Sequence, residues 1–181
     1  MRIAIYGAGS LGTILGAYLT SAGLDVELVN RNRAHIAALR EQGAAVVGKI
    51  SMNVPVKAVF PDEMIGKYDV VFLLTKQLNN AQTAEFLKPF LSEGGVVCTL
   101  QNGIPEPELA DILGKDRVVG GTVAWGATLT APGVSELTSD ADSLTFGMGG
   151  MEDSAPETIE KVRGILEKMC PVEVFDNFLG V

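Results

Sequence analysis

The sequence predicts an α/β fold in one domain over residues 1–181, built on a doubly wound, mainly parallel sheet with helices on both faces. Three observations predict it. Segments typical of strands and of helices alternate from the N-terminus onward. The strand segments are almost continuously apolar, as expected for strands that a parallel sheet buries on both faces. A glycine-rich turn, residues 7–12, joins the first strand to the first helix.

Two pairs of a strand and a helix open the chain, and a region of short strands follows them. Arg2–Tyr6 and Asp25–Asn30 are the predicted strands, and Ser10–Ala22 and Ala34–Gln42 are the predicted helices. The first helix has one apolar face, formed by Leu11, Leu15, Leu19 and Ala22. Between residues 44 and 60 the pattern predicts short strands or extended links at Ala45–Val47, Ile50–Met52 and Val54–Val56.

The alternation continues through the middle of the chain. Tyr68–Leu74 and Gly95–Leu100 are apolar strands, and the segment between them, Gln77–Leu91, is a predicted helix. Its apolar stripe consists of Leu78, Ala81, Ala84, Leu87 and Leu91. A short helix over Glu106–Leu113 and a strand over Arg117–Val123 complete the series.

The alternation ends after Val123, and an antiparallel extension of the sheet is predicted near the C-terminus. Ala131–Gly133 is a predicted turn, and Val134–Thr138 and Ser143–Phe146 are predicted to pair as a hairpin. A last helix begins at Ser154, where Ser154–Glu157 has the pattern of a capping box. Its apolar stripe consists of Ile159, Val162, Leu166 and Met169. Pro171–Phe175 is the final predicted strand.

The composition excludes several classes of function. The net charge of -8 argues against a general binder of nucleic acids or anionic membranes, because both need a basic surface. No segment approaches the roughly 20 apolar residues of a membrane helix. Cys98 and Cys170 have neither a CxxC nor a metal-ligand spacing, so we predict no metal site and a location in the reducing cytoplasm. Cys98 is interpreted as a core residue, and His35 as a solvated or partly packed helix residue rather than a catalytic one.

The turn after the first strand has the spacing G-x-G-x-x-G, with glycines at Gly7, Gly9 and Gly12. Between a strand and a helix this spacing predicts a Rossmann-type site for a dinucleotide. The three glycines allow, in order, the tight turn, the approach of a pyrophosphate and close packing of helix on strand. The amide groups at the start of the helix then face the diphosphate.

The residues after the second strand predict which dinucleotide is preferred. A site that prefers NAD usually has an acidic residue here, which binds the ribose 2′-hydroxyl. This chain has Asn30 and then Arg31, whose guanidinium suits a 2′-phosphate, so we predict NADP(H). The alternative is that Arg31 and Arg33 are ordinary surface residues at the start of a helix.

Two polar residues follow apolar strands at the sheet edge where ligands bind in such folds. Lys76 follows the strand that ends at Leu74, and it could hold a substrate carboxylate or a cofactor ribose. Position alone makes an uninvolved surface lysine about as plausible. Asn102 follows the next strand and suits a nicotinamide ribose or a substrate hydroxyl, while a plain Asn-Gly turn is the alternative.

These motifs together resemble the ketopantoate reductases (2-dehydropantoate 2-reductases). The segments that carry the resemblance are Gly7–Gly12, Arg31, Leu74–Lys76, Leu100–Gly103, Trp125–Val134 and Val174–Phe178. The resemblance implies reduction of ketopantoate to pantoate with NADPH, on the route to pantothenate and coenzyme A. It implies a diphosphate site formed by Gly7, Ala8, Gly9, Ser10, Leu11 and Gly12. It also implies that Arg31 binds the 2′-phosphate, that Lys76 and Asn102 border nicotinamide and substrate, and that Ala127 lines the cofactor pocket.

The resemblance also implies a helical second domain, whose first helix carries a lysine that protonates the substrate oxygen. This domain is absent from the 181 residues, and Lys161 and Lys168 match no such motif, so we assign no proton donor. We therefore expect this chain to bind cofactor and to turn over little by itself.

Two other functions remain open: a related reductase of another 2-oxo acid, and a free-standing, non-catalytic NADP-binding module. The expected partner is a small 2-oxo acid. Self-association into a homo-oligomer is possible through apolar surface that the helical domain would cover. Trp125 is interpreted as a core residue.

Overall fold

The computed structural model describes residues 1–151 and 155–176, in which twelve strands and five α-helices follow one another. The strands are β1 (Arg2–Tyr6), β2 (Asp25–Val29), β3 (Ala44–Gly48), β4 (Met52–Val54), β5 (Lys57–Val59), β6 (Tyr68–Leu73), β7 (Leu91–Thr99), β8 (Val118–Val123), β9 (Ala127–Ala131), β10 (Val134–Leu137), β11 (Phe146–Gly150) and β12 (Val172–Val174). The helices are α1 (Ser10–Ser21), α2 (Arg33–Gln42), α3 (Asn80–Leu87), α4 (Glu106–Leu113) and α5 (Pro156–Leu166).

Eight strands form the larger sheet, in the order β12-β11-β8-β7-β6-β1-β2-β5. Neighbouring strands from β5 to β8 are all parallel, which confirms the predicted doubly wound sheet. The direction of winding reverses between β1 and β6, and ligands of open α/β sheets bind at this switch point. The predicted antiparallel extension is present at the other edge, where β11 runs antiparallel to β8 and β12 parallel to β11.

The predicted hairpin between Val134–Thr138 and Ser143–Phe146 is wrong. β10 pairs instead with β9, and β11 pairs with β8 in the larger sheet. The turn between β9 and β10 contains Gly133, whose φ of +75° is a conformation that residues with a side chain rarely adopt. The polar stretch at residues 139–142 lies on the crossing between two sheets, so its polarity reflects exposure and not a hairpin turn.

A second sheet, in the order β4-β3-β10-β9, packs on the outer side of α1. The helix is thus enclosed between two sheets, and Thr13, Ile14 and Leu15 on successive sides of it are all fully buried. The predicted apolar face is confirmed at Leu15 and Leu19. It is wrong at Ala22, which is exposed because it lies beyond the helix end.

The short strands predicted between residues 44 and 60 are present with shifted bounds. The second and third begin at Met52 and Lys57 rather than at Ile50 and Val54. Pro55 has no amide hydrogen to donate, so strand pairing ends before it and resumes after it. β5 then joins the larger sheet beside β2, while β3 and β4 belong to the second sheet.

The helix predicted over Gln77–Leu91 is shorter in the structure. The segment comprises a 3-10 turn, α3, a second 3-10 turn that contains Pro89, and the first residue of β7. A proline cannot continue the α-helical hydrogen bonds, so α3 ends at Leu87. Ala84 and Leu87 of the predicted stripe are buried, and Leu91 is buried as a strand residue. The stripe is wrong at Leu78, which is 85% exposed, and at Ala81, which is exposed.

The larger sheet has a hydrophobic core on each face. One core contains side chains from α1, α2, α5 and the second sheet, and the other contains side chains from α3 and α4. Cys98 and Trp125 are buried in the first core, as predicted, and Trp125 packs edge-on against Phe146. None of the helices in the described residues is long and apolar enough to span a membrane.

Two sequence predictions fall partly outside the described residues. The capping box predicted for the last helix includes Ser154, which is not described, and α5 begins at Pro156 with Ala155 as its N-cap. The segment Val174–Phe178 is described only as far as Asp176. The predicted stripe of α5 is confirmed at Val162 and Leu166, which are both fully buried.

Candidate functional site

The three motif glycines occupy the backbone positions that the spacing predicts. Gly7 has a φ of +100°, and a Cβ there would lie 2.7 Å from the backbone nitrogen of Thr75. A Cβ on Gly12 would lie 3.0 Å from a methyl group of Ile5, so this glycine allows α1 to pack closely on β1. A Cβ on Gly9 would meet only the Gly7 carbonyl, at 3.9 Å, so the space in front of Gly9 is open.

Hydrogen bonds within the loop leave the start of α1 free to bind an anion. The amides of Gly7 and Ala8 donate to the Val29 carbonyl, at 3.0 and 2.9 Å. The Gly9 amide donates to the Gly7 carbonyl at 2.7 Å. The backbone bonds of the described residues give no acceptor to the three amides after it, those of Ser10, Leu11 and Gly12. Because these amides lie at the positive end of the helix dipole, the residues present fit the diphosphate of a dinucleotide.

Ala8 contributes to this site only through the shape of the loop. Its side chain is fully buried and its amide is bonded to Val29. Its carbonyl accepts hydrogen bonds from Asn30 Nδ2 at 2.8 Å and from His35 Nε2 at 2.9 Å. All its polar groups are therefore occupied within the chain.

The ends of β1, β2 and β6 border two adjoining clefts. The smaller has a volume of about 350 Å³ and reaches from the glycine loop to Lys76, and the larger has about 740 Å³. Both are lined by Tyr6, Arg31, Pro61 and Asn79. The shared residues place the two clefts side by side.

The polar groups beside the larger cleft favour a ligand with negative charge near Arg31. The side-chain amide of Asn30 already has partners at both atoms, because its nitrogen donates to the Ala8 carbonyl and its oxygen accepts from the Asn32 amide, both at 2.8 Å. Arg31 and Arg33 line the larger cleft, and Arg31 is exposed. Burial raises the pKa of the Tyr6 hydroxyl, and the Arg31 cation beside it acts in the opposite direction.

Acidic side chains also border the larger cleft. Asp62 and Glu63 line it on the side of the turn that follows Phe60. Glu63 accepts from the Phe60 amide at 2.8 Å and pairs with Arg40, and both contacts lower the pKa of its carboxyl. Its carboxylate is therefore already paired within the chain.

The structure brings some predicted site residues together and leaves others apart. Lys76 is exposed and lines the smaller cleft with Gly7, Gly9 and Arg31. Asn102 is exposed in the next loop, where its carbonyl accepts a hydrogen bond from Gln77, and its side chain lines neither cleft. Ala127 is half-buried at the start of β9 in the second sheet and also lines neither cleft.

Sequence reasoning assigned no role to Gln101, which links the two loops beside the cleft. The Gln101 side chain is buried, and its Nε2 lies 2.6 Å from the Thr75 carbonyl and 2.9 Å from Asn80 Oδ1. Its Oε1 accepts from the Thr99 hydroxyl at 3.1 Å. The sequence did offer one signal for Gln101, a side-chain amide directly after an apolar strand. Its hydrogen-bond partners Thr75 and Asn80 lie after a different strand, so the sequence does not reveal them.

We expect Gln101→Leu to lower the free energy of unfolding by about 1–3 kcal/mol, because the Thr75 carbonyl and the Asn80 amide oxygen lose their donor inside the protein. Urea denaturation followed by circular dichroism measures this change. Gln77→Leu is the matched control, since Gln77 is exposed, and it should change stability by less than about 0.5 kcal/mol. Equal effects of the two variants would contradict the role assigned to the Gln101 side chain.

His35 differs from the sequence interpretation as a solvated or partly packed residue. It is 1% exposed, and both ring nitrogens have hydrogen-bond partners. Burial lowers the pKa of its imidazole, and the bond to the Ala8 carbonyl acts in the opposite direction. The sequence pattern of α2 suggests that this position is exposed to solvent. In the structure, the turn between β9 and β10 of the second sheet covers it.

The sheet order, the switch point and the glycine loop define the chain as a Rossmann-type domain. The sequence profile described as "Ketopantoate reductase PanE/ApbA" matches residues 3–150. The chain therefore belongs to the ketopantoate reductase family, as the resemblance implied.

Individual relatives agree with this family. The chain is 33% identical over 168 residues to the 2-dehydropantoate 2-reductase of Pyrococcus abyssi, covering 91% of this chain and 53% of that protein. It is 31% identical over 183 residues to that of Pyrococcus horikoshii, covering 99% and 58%. The chain thus spans little more than half the length of these curated relatives.

Solved structures have the same fold. The crystal structure of 2-dehydropantoate 2-reductase from Geobacter metallireducens superposes with a TM-score of 0.85 at 28% identity, covering 97% of this chain and 58% of that one. A ternary structure of D-mandelate dehydrogenase with NADH superposes with a TM-score of 0.88 at 22% identity, covering 99% and 58%. At that identity the second similarity concerns the fold alone.

Proposed function

We propose that this chain is the N-terminal, dinucleotide-binding part of an NADPH-dependent 2-dehydropantoate 2-reductase. The observation that carries the proposal is the meeting of three features at the switch point of the sheet. These are the unbonded amides at the start of α1, the Arg31 guanidinium and the Lys76 ammonium group. Membership of the ketopantoate reductase family supports the choice of reaction.

The preference for NADP(H) rests on the end of β2. No carboxylate follows this strand to bind a ribose 2′-hydroxyl, and the Asn30 amide is occupied by Ala8 and Asn32. Arg31 lies where the two clefts join and presents a cation there. A guanidinium binds a phosphate with charge-assisted hydrogen bonds, so Arg31 would hold the 2′-phosphate.

The residues at the other end of the smaller cleft would orient the reacting groups. NADPH, when bound, supplies a hydride to the carbonyl carbon of the substrate. Lys76 would hold the carboxylate of a 2-oxo acid beside the glycine loop. Asn102 would border nicotinamide and substrate, and Ala127 would line the cofactor pocket. Both roles rest on the family resemblance, because neither residue lines the cleft in this structure.

The described residues present no proton donor for the substrate oxygen that we can assign. Loss of a positioned acid lowers the rate by about 10²–10⁴-fold. In the family this acid is a lysine of the helical domain, as the resemblance implied. The 181-residue chain should therefore bind NADPH and oxidise it slowly, and rapid turnover by this chain alone would contradict the assignment.

A related 2-oxo acid reductase is the second candidate. Lys76 would recognise a carboxylate, which all 2-oxo acids share. This contact therefore selects for 2-oxo acids as a class and does not distinguish one acid from another. A free-standing NADP-binding module is the non-catalytic alternative. A cytoplasmic location and a homo-oligomer remain predictions. The exposed apolar side chains of Leu78 and Ile104 support self-association.

The proposed reaction is tested by following NADPH oxidation by the full-length gene product with ketopantoate and with a panel of other 2-oxo acids. We expect ketopantoate to have the highest kcat/KM. We expect Lys76→Ala to lower that value about 100-fold or more, because the substrate loses its carboxylate partner. Lys88→Ala, at an exposed lysine away from both clefts, is the control. Absence of oxidation with every acid would favour the binding module.

A further inference from the structure

The buried imidazole of His35 connects three segments that are far apart in the sequence. Its Nε2 lies 2.9 Å from the Ala8 carbonyl in the glycine loop and 3.2 Å from the Thr13 hydroxyl in α1. Its Nδ1 lies 3.0 Å from the backbone nitrogen of Gly133, in the turn between β9 and β10. One side chain thus joins the candidate diphosphate site to the second sheet.

These contacts determine the protonation state of the ring. A backbone amide only donates, so Nδ1 must accept the hydrogen bond from Gly133 and carries no proton. The neutral ring therefore has its hydrogen on Nε2, which donates to the Ala8 carbonyl. Protonation of Nδ1 would place two donors against each other at 3.0 Å.

We propose that His35 is a positioning residue for the dinucleotide: its Nε2–H holds the Ala8 carbonyl so that the amides at the start of α1 face the diphosphate. This inference rests on the proposed function and identifies a residue outside the motif that shapes its anion site. Asn30 is the second donor to the same carbonyl, at 2.8 Å. The carbonyl is thus turned inward by two side chains. The Gly9 amide after it donates to the Gly7 carbonyl at 2.7 Å, and the amides of Ser10, Leu11 and Gly12 have no backbone acceptor among the described residues.

The other end of the ring fixes where this donor lies. The Gly133 carbonyl accepts from the Ala45 amide at 2.9 Å, so the turn is bonded both to the second sheet and to His35. A Cβ on Gly133 would lie 3.0 Å from that of Ala38, one turn further along α2. The second sheet therefore holds the imidazole against the glycine loop.

Charged groups do not contact the ring directly. Its partners in α1, the glycine loop and the turn are a hydroxyl, a carbonyl and an amide. Arg33 is two positions earlier on the same helix and is exposed at the larger cleft. Lys57 of β5, the strand that packs against α2, pairs with Asp25 at 2.7 Å. Protonation of the ring itself is therefore the charge change that affects these bonds.

Two variants separate the two ends of the ring. In His35→Asn the amide oxygen lies near the position of Nδ1 and can still accept from Gly133, but no donor reaches Ala8. In His35→Gln the amide nitrogen lies near the position of Nε2 and can still donate to Ala8. Calorimetric titration with NADPH at pH 8 should give about 10-fold weaker binding for His35→Asn, which corresponds to one lost hydrogen bond. His35→Gln should bind within about threefold of the wild type.

The pH dependence provides a readout that a purely structural role would not move. The affinity of the wild type for NADPH should fall as the pH is lowered from 8 to 5.5. A hydrogen on Nδ1 would oppose the Gly133 amide at 3.0 Å and push the ring, with its Nε2–H, away from the Ala8 carbonyl. The 2′-phosphate itself takes up a proton near pH 6, so the comparison is with His35→Gln, which binds the same ligand without a titrating ring. We expect a steeper loss for the wild type than for this variant.

The free energy of unfolding of the ligand-free chain should also decrease as the pH is lowered. Because the pKa of His35 is lowered in the folded chain, the unfolded chain takes up a proton at higher pH. The stability contributed by the neutral ring is complete above the ordinary value of 6.5 and is lost as the pH falls below it. Thermal unfolding of each variant also checks that it is folded.

The outcomes distinguish this inference from the function on which it rests. Binding of NADPH by the wild type and equally tight binding by His35→Asn would overturn the inference alone. Identical pH profiles of the wild type and His35→Gln would also overturn it, and this comparison decides even where His35→Asn does not fold. A wild type that binds neither NADPH nor NADH would overturn the proposed function and the inference with it.

Discussion

Replacing Gly7 by alanine should lower the free energy of unfolding by about 2–4 kcal/mol and weaken NADPH binding by about 100-fold or more. The new Cβ would lie 2.7 Å from the Thr75 nitrogen and 2.8 Å from the Leu74 carbonyl carbon. Both atoms belong to the backbone, so no rotation of a side chain relieves the overlap. The residue also requires a φ of +100°, which alanine rarely adopts.

Gly23→Ala is a matched control for Gly7→Ala. Gly23 has a φ of +83°, but no atom lies within 4 Å of the position of its Cβ. The control therefore introduces the backbone strain without the overlap, and it should lower stability by about 1–2 kcal/mol without changing NADPH affinity. Chemical denaturation and a binding titration measure the two quantities. Similar affinities of both variants would contradict the account of the glycine loop.

Replacing Arg31 by alanine should weaken NADPH binding by about 10–100-fold and change NADH binding by less than about twofold. The expected loss corresponds to charge-assisted hydrogen bonds between a guanidinium and a phosphate. NADH has a 2′-hydroxyl at this position and no charge for Arg31 to bind. Fluorescence titration of the reduced nicotinamide gives both dissociation constants.

Two controls test whether the effect of Arg31 is local. Lys115→Ala removes the same charge from an exposed turn that precedes β8, so it should leave both constants unchanged. Arg33→Ala tests the second guanidinium at the larger cleft and should have a smaller effect than Arg31→Ala. A larger effect of Arg33→Ala than of Arg31→Ala would show that Arg33, and not Arg31, binds the 2′-phosphate.

The parts of the fold that were predicted correctly are those whose signal is local. The strands of the parallel sheet are buried on both faces, so each is a continuous apolar run in the sequence. The spacing of the three glycines is equally local, because it lies within one strand–turn–helix unit, although Gly7 also approaches the distant residue Thr75. The helix α4 was predicted with the bounds that the structure has, Glu106–Leu113.

The second sheet was missed because its pairing joins distant segments. Val134 of β10 pairs with Ala45 of β3, and each strand is short and partly exposed, so its pattern is weak. The same distance hid the role of His35, since its partner Gly133 is 98 residues away. Leu78 was assigned to a helical stripe although it lies in a 3-10 turn, whose period differs from that of an α-helix.

The candidate site also contains residues that the sequence predicts and residues that it does not. Gly9, Arg31 and Lys76 line the smaller cleft because each follows a strand that ends at the switch point, which the order of elements already predicts. Asn102 also follows a strand, but β7 is one strand further from that point. Gln101 was missed because its role depends on side-chain contacts with Thr75 and Asn80, which the sequence pattern does not contain.

The central claim is that the cleft at the switch point binds NADPH and prefers it to NADH. Parallel calorimetric titrations of the purified chain with the two dinucleotides test this claim most directly. The account predicts one bound NADPH per chain and an affinity at least about 10-fold higher than that for NADH. Equal affinities would contradict the role of Arg31, and binding of neither dinucleotide would contradict the assignment of the cleft.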